Sequence, residues 1–318
     1  MHREGSFQSF FGLLLTISVF FGYYLISTFG PSSAWNLLVL FGLASLVVMA
    51  FFSPPREMNP HSPTWVRNSA LFLLTTITTY FLAKYVSLLF HEWSHALWAN
   101  LLGVRSGNVL NIHYGHGWVM KGIWAVDSGD FYQHLFASRQ DATAALVAFG
   151  GPLTNLMIAM LSLLILFKIK SNRYILTAYL FFWMAQHNLA QLWSYTPART
   201  MFHDGGDIFY LCKGLHIPPW LFLIAGTAFL GLAFYLLFVR LMFRIFEPLH
   251  LTLKGQIGIF FLAWTTVFLY YGGLPIIYDL SSLTDPGVFL LILELSVGLV
   301  LAGMVIARFR NTHTGSGL

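Results

Sequence analysis

Apolar runs long enough to cross a lipid bilayer recur along almost the whole chain and leave little sequence for a separate water-soluble domain. A helix needs about 20 predominantly apolar residues to cross a hydrocarbon core of about 30 Å. Of the 318 residues, 57% are hydrophobic and 9% are charged, whereas about 25% are charged in an average soluble domain. The sequence therefore predicts an all-α integral membrane protein, a polytopic helical bundle forming a single transmembrane domain over residues 1–318.

About eight segments have the length and composition of transmembrane helices. They are Ser6–Ser27, Ala34–Phe52, Asn68–Leu102, Ala142–Phe167, Tyr174–Trp193, Trp220–Phe238, Gly255–Gly272 and Pro286–Ile306. The breaks between them, such as "GPSS" and "KSNR", are rich in turn formers. The loop after the third segment contains the runs "NVLNIHY" and "WVMKGIWAV" separated by glycines, which favour a small β hairpin.

The termini, charges and cysteine content narrow the class further. The first apolar run is longer than a signal-peptide core and no small-residue cleavage site follows it, so we expect it to be retained as a span. The net charge of +5 comes mainly from Lys and Arg that flank apolar runs, which is typical of anchoring at lipid headgroups and predicts no nucleic-acid partner. A single cysteine, Cys212, excludes an intrachain disulfide and a thiolate metal cluster. We expect a multi-pass protein of the cell membrane.

The stretch "LLFHEWSHALW" places three ionisable side chains in the apolar third segment, where burial is costly. His91 and His95 are four residues apart and therefore lie on one face of a helix, with Glu92 beside the first. This is the pattern H-E-x-x-H, in which two imidazoles hold zinc and the glutamate acts as general base. The alternative is structural: the histidines would join helices by hydrogen bonds, and Glu92 would pair with Lys84.

A catalytic zinc ion needs a third protein ligand and an open fourth position. Asp204 and Asp207 lie in "MFHDGGDIF", where glycines give the backbone the freedom to bring a carboxylate to a metal. His203, His113 and His116 are alternative ligands, although His113 and His116 are more typical of surface histidines.

A third polar feature, "AFGGPLTNLM", opens or interrupts the fourth segment. Pro152 cannot donate a helical hydrogen bond, and Asn155 is a polar side chain in an apolar stretch. The freed backbone groups and the Asn155 amide could hold an extended peptide. The alternative is an ordinary helix N-terminus with proline in its first turn.

Taken in order, "HEWSHALWANLLGV", "AFGGPLTNLM" and "HDGGD" resemble the three signature regions of the site-2 protease family of intramembrane zinc metalloproteases. The resemblance covers about Tyr80 to Ile208, with a catalytic core expected at 66–208 and flanking helices in 1–65 and 219–318. It implies one catalytic zinc ion, with Glu92 as general base. The implied zinc ligands are His91, His95 and Asp204, and the implied substrate-positioning residues are Asn155, Gly150, Gly151 and Pro152.

The chain departs from the family pattern before the third ligand. The family usually has an asparagine and prolines close before the DGG, whereas Asn188 stands sixteen residues before Asp204 with only Pro197 between them. Asp207 is therefore kept as a reserve for the third ligand. Two indications of the membrane orientation disagree. The distribution of Lys and Arg favours an external loop after H-E-x-x-H, whereas in many members of the site-2 protease family that loop faces the cytosol.

The expected function is that of a zinc metalloendopeptidase that hydrolyses peptide bonds in or near transmembrane segments of membrane-protein substrates. One alternative is a polytopic transporter that uses the His, Glu and Asp cluster as an ion path. Others are a non-catalytic relative that acts as a binding partner and a zinc protease that cuts at the membrane surface. The sequence names neither the substrate nor the oligomeric state.

Overall fold

The computed structural model describes residues 63–105, 113–114, 123–124, 129–169, 175–199, 206–247, 249, 251, 253–273 and 285–314. Within these residues every element apart from two short strands is a helix, which confirms the predicted all-α class. The elements in chain order are α1 (Pro63–Leu101), β1 (His113–Tyr114), β2 (Ile123–Trp124), α2 (Gly129–Ala137), α3 (Asp141–Lys168), α4 (Ile175–Trp193), α5 (Asp207–Leu215), α6 (Pro219–Phe234), α7 (Met242–Phe246), α8 (Leu253–Thr265) and α9 (Asp285–Thr314).

Three π-helical segments extend these helices. Ser194–Arg199 continues α4, Tyr235–Leu241 joins α6 to α7, and Thr266–Gly273 continues α8. A π turn adds a residue per hydrogen-bonded ring and is frequent at functional sites. Between α1 and α2, β1 and β2 pair antiparallel, with His113 opposite Trp124.

Helix α4 forms the centre of the bundle. Its large side chains, including Tyr179, Phe182 and Trp183, are fully buried and belong to the main hydrophobic core. Helices α1 and α3 pack against it. The last turns of α4 and the first residue of the π-helical segment after it also bury polar side chains, namely those of Gln186, His187, Asn188, Gln191 and Ser194. Buried polar groups need partners within the protein, so α4 brings both the packing core and a set of polar contacts to the interior.

Three described helical segments are long and apolar enough to cross a membrane: Asp141–Lys168, Pro219–Phe246 and Ile292–Phe309. This is fewer than the eight spans expected from the sequence. The expected spans Ser6–Ser27 and Ala34–Phe52 lie outside the described residues. Helix α4 coincides with the fifth expected span, but its buried polar side chains lower its mean hydropathy.

The three candidate spans present large apolar side chains outward. Examples are Met157 and Leu164 on α3, Ile224 on α6, and Leu299 and Met304 on α9, all exposed. Large apolar side chains exposed in this number are unfavourable in water and favourable in lipid. The chain is thus compatible with a membrane protein.

Candidate metal centre

Three buried ligand atoms converge where α1, α3 and α5 meet. His91 Nε2 and His95 Nε2 are 3.1 Å apart. Asp207 Oδ2 lies 3.1 Å from His91 Nε2 and 3.3 Å from His95 Nε2. Zinc ligands at bond lengths of 2.0–2.1 Å in a tetrahedral site are separated by about 3.3 Å. The three atoms, called here the ligand triangle, therefore have the spacing of three ligands of one metal ion.

The two histidines reach this position because α1 is a continuous helix of 39 residues. A separation of four residues places both imidazoles on the same side, one turn apart. That side faces α3 and α5, and both rings are buried. Ser94, between the two histidines, exchanges a short hydrogen bond with Thr154 on α3, which joins the two helices beside the triangle.

A pair of glycines on α3 permits the close approach of α1. A Cβ atom on Gly150 would lie 2.6 Å from Trp98 Cδ1 and 2.9 Å from the carbonyl oxygen of Ser94. A Cβ atom on Gly151 would lie 2.6 Å from His91 Nε2 and closer still to His95 Nε2. The absence of a side chain at Gly151 therefore keeps the space between the two ring nitrogens open.

Asp207 is delivered by the turn that begins α5. Gly206 has φ +106°, a conformation that L side chains rarely adopt and that glycine adopts at little cost. Asp207 is the first residue of the helix, where the helix dipole favours a negative charge. Helix α5 packs tightly on the start of α3, because a Cβ atom on Gly214 would collide with the carbonyl oxygen of Asp141.

Contacts on the outer side of each imidazole set its orientation. His95 Nδ1 lies 2.7 Å from the carbonyl oxygen of Val147. A carbonyl can only accept, so Nδ1 carries the hydrogen and the neutral ring turns the lone pair of Nε2 toward the triangle. Metal-bound histidines characteristically donate their second ring nitrogen in this way.

His91 has an amide as its outer partner. Asn155 Nδ2 lies 3.0 Å from His91 Nδ1 and 2.6 Å from Gln191 Oε1. A half-turn of the Asn155 and Gln191 amides exchanges their oxygen and nitrogen atoms and lets Asn155 accept the Nδ1 hydrogen of His91. Asn155 is fully buried, and its amide contacts the His91 ring and so helps to fix the orientation of that ring.

The electrostatics of the triangle suit a cation. Burial opposes ionisation of Asp207, but the positive charge of protonated His95 and the hydrogen bonds of His91 and His95 outweigh it and hold the pKa of the carboxyl well below its ordinary value. Asp207 Oδ2 has no hydrogen-bond partner with acceptable geometry among the described residues. A metal ion would replace the protons between these groups, and two neutral imidazoles with one carboxylate are a donor set that divalent transition metals accept. The group of His91, His95 and Asp207 could therefore hold a metal ion.

Two further side chains adjoin the triangle. Tyr195 stacks on His91 with its ring plane 3° from parallel, and its hydroxyl oxygen lies 3.4 Å from His91 Nε2. Glu92 is buried on α1 and interacts electrostatically with His95. Lys84, the alternative partner considered for Glu92, donates from Nζ to the Tyr270 hydroxyl at 2.6 Å.

The structure supports a different third ligand from the one that the resemblance implies. Asp204, the ligand implied by the resemblance, lies outside the described residues, as do His116 and His203. The carboxylate that the structure brings to the histidines is Asp207, the reserve candidate. His113 lies in β1.

The residues expected to position a substrate have other contacts in the structure. Pro152 lies within α3, which runs through it from Asp141 to Lys168, so neither a helix start nor a break is formed there. Gly150 and Gly151 face α1, and Asn155 faces His91. Their expected role toward a substrate stays a prediction.

Sequence reasoning did not single out Gln191 or Tyr195. Gln191 could have been found as a polar residue in an apolar run, three residues after Asn188 on the same helix. Tyr195 gave no signal, because its position over His91 depends on the π-helical segment Ser194–Arg199. Asn188 donates to Ser87 Oγ at 2.6 Å and so joins α4 to α1 one turn before His91.

Comparison with known proteins adds no relative: no family model, no curated protein and no solved structure matches the chain.

Proposed function

We propose that the chain is an intramembrane zinc metalloprotease of the site-2 protease type, which hydrolyses peptide bonds in or near the transmembrane segments of other membrane proteins. The observation that carries the proposal is the ligand triangle, together with a glutamate next to its first histidine. An accidental H-E-x-x-H in an apolar helix gives no reason for a distant carboxylate to lie 3.1–3.3 Å from both ring nitrogens.

Zinc fits the site better than magnesium or calcium. Its structural and catalytic sites use histidine and carboxylate ligands at short distances, and three protein ligands leave a fourth position for water or substrate. Magnesium and calcium prefer oxygen ligands in larger numbers. In the proposal, His91, His95 and Asp207 hold the ion, Val147 and Asn155 hold the rings, and Gly151 keeps the space between them open.

When bound, zinc supplies a Lewis acid that polarises a carbonyl group and makes water more acidic. Glu92 takes a proton from the attacking water and later gives it to the leaving amine, so that one peptide bond and one water become a carboxylic acid and an amine. The Tyr195 hydroxyl lies beside the triangle and is placed to donate to the oxygen that gains negative charge.

The setting of the site favours a membrane-embedded substrate. Large apolar side chains cover the outer faces of α3, α6 and α9, and the proposal places the whole chain in the bilayer as a multi-pass protein of about eight spans. A substrate segment in lipid must be locally unwound before its carbonyl can enter a site, because a helix occupies its own carbonyl groups.

The test is a cleavage assay on the purified full chain in liposomes, with a panel of single-span substrates and zinc measured in the same samples. The variant Glu92→Gln keeps the ligands and the shape but removes the base. We expect unchanged zinc content and a loss of cleavage of about 10²–10⁴-fold. Glu247→Gln is the matched control, because Glu247 is exposed and should change neither quantity.

Each outcome distinguishes the candidate functions. Full cleavage by zinc-loaded Glu92→Gln protein would refute the assignment of the base. Zinc-loaded wild-type protein that cleaves no substrate but passes ions across liposomes would support the transporter alternative instead.

A further inference from the structure

A glutamate outside the ligand triangle is buried in the bundle and has no hydrogen-bond partner in the part of the chain that the structure describes. Glu294 lies on α9, within the candidate span Ile292–Phe309, and its side chain is 0% exposed. Neither of its carboxylate oxygens has a hydrogen-bond partner among the described residues. An ionised carboxylate in an apolar interior with no donor is strongly disfavoured, so its charge must be neutralised.

A second unpartnered polar group faces the same small space. Trp193, at the end of α4, is fully buried, and its Nε1 has no acceptor among the described residues. A Cβ atom on Gly272 would lie 2.6 Å from Glu294 Oε2 and 3.0 Å from Trp193 Nε1. The two polar groups therefore border one space, which is open because residue 272 is a glycine.

The surroundings of this space are apolar and closely packed. The Trp193 ring meets Phe234 and Phe268 edge-on, at centroid distances of 5.7 and 5.4 Å. One turn after Glu294, the carbonyl oxygen of Gly298 accepts a hydrogen bond from Trp264 Nε1 at 2.8 Å. This contact holds α9 against α8.

The described cationic side chains near α9 contact groups other than Glu294. Lys84 donates to Tyr270, Arg308 donates to the carbonyl oxygen of Val239, and Arg240 lies 6.0 Å from the Tyr235 ring. The described titratable side chains on elements packed against α9 are those of Tyr195, Tyr235, Arg240, Arg244, Tyr270 and Tyr271, with Arg308 on α9 itself. A proton is the simplest remaining means of neutralising Glu294.

We propose that Glu294 is a buried proton-binding site, in which a rotation of the protonated carboxyl across the space beside Gly272 lets its carbonyl oxygen accept the indole N–H of Trp193. A hard metal cation suits the space less well, because such ions need several oxygen ligands and the indole N–H presents a positive edge. The proposal does not depend on the proteolytic function. It adds a proton site that borders the π-helical segment Ser194–Arg199, the segment that places Tyr195 on His91.

Infrared spectroscopy of the full chain in lipid nanodiscs tests the proposal. The chain has only five glutamates, so labelling glutamate with a ¹³C side-chain carboxyl resolves their carbonyl stretch from other signals. At neutral pH the wild-type protein should show the carbonyl band of one protonated carboxyl. Glu294→Gln should lose this band, whereas Glu247→Gln should keep it.

Two further measurements address the partner and the ion. Trp193→Phe removes the proposed donor, so the band should move to higher frequency without losing amplitude; an unmoved band would show that Trp193 is not the partner. Raising sodium at constant pH should leave the band unchanged, and its replacement by carboxylate bands would assign the site to sodium. A wild-type spectrum with no protonated glutamate would overturn the proposal without needing any variant to fold.

Discussion

Gly151→Ala tests the geometry of the ligand triangle most directly. The added Cβ atom would lie 2.6 Å from His91 Nε2 and closer to His95 Nε2, whereas ordinary contacts of carbon are about 3.5–4.0 Å. Either α3 moves away from α1 by about 1 Å or both imidazoles swing aside by a similar distance. The ligand atoms of a functional metal site must be held within about 0.5 Å of their productive positions. We therefore expect zinc affinity to fall at least about a hundredfold, equivalent to about 2.7 kcal/mol.

The same substitution has a separate effect on stability. Alanine favours a helix over glycine by up to about 1 kcal/mol, while overpacking a close helix contact costs about 1–3 kcal/mol. We expect the melting temperature of Gly151→Ala to stay level or fall. Gly231→Ala is the matched control, because nothing lies within 4 Å of its added Cβ atom, and it should keep wild-type zinc affinity.

The assay is a competition titration of zinc against a chromophoric chelator on purified protein, with circular dichroism to follow unfolding. Equal zinc affinity in Gly151→Ala, Gly231→Ala and wild-type protein would refute the reasoning. It would mean either that α3 does not pack on the histidines or that the histidines do not hold the ion.

Four other predictions concern single side chains, each with its own measurement. Asp207→Ala should lose bound zinc while Asp204→Ala retains it, as measured by metal analysis; the opposite result would return the third ligand to Asp204. Tyr195→Phe should keep zinc affinity and lower the cleavage rate by about 10²-fold, as expected for one lost donor to the developing charge, and an unchanged rate would remove Tyr195 from the chemistry. Asn155→Leu should weaken zinc about 10–100-fold by removing the outer partner of a ligand imidazole, and unchanged affinity would leave that contact without a role. Burial raises the pKa of the Cys212 thiol to about 11, so about 100-fold less thiolate forms than at an ordinary thiol. Alkylation of Cys212 should therefore be slow in wild-type protein, and it should be fast in Asp207→Ala if that substitution detaches α5 from α3. Fast alkylation of the wild-type protein would contradict the packing of α5.

The described parts of the fold follow the sequence at the level of helices. The expected segments from Asn68 onward coincide with helices because their apolar composition and the turn formers between them act locally. The number of spans was less well predicted. The composition of an apolar run does not tell whether its polar residues face lipid, the protein core or a partner. Helix α4 buries several polar residues against α1 and α3.

The sequence by itself determined His91, Glu92 and His95, because helical periodicity alone places residues four apart on one face. It also marked the "HDGGD" turn, because glycine permits a conformation that other residues avoid. Only the tertiary structure decided that Asp207 completes the triangle, that Gly151 is the opening beside it and that Asn155 holds His91. These roles depend on how closely α3 and α5 pack on α1, and that distance is set by contacts between residues far apart in the chain. The same holds for Glu294, whose isolation follows from the packing of Trp193 and Gly272 around it.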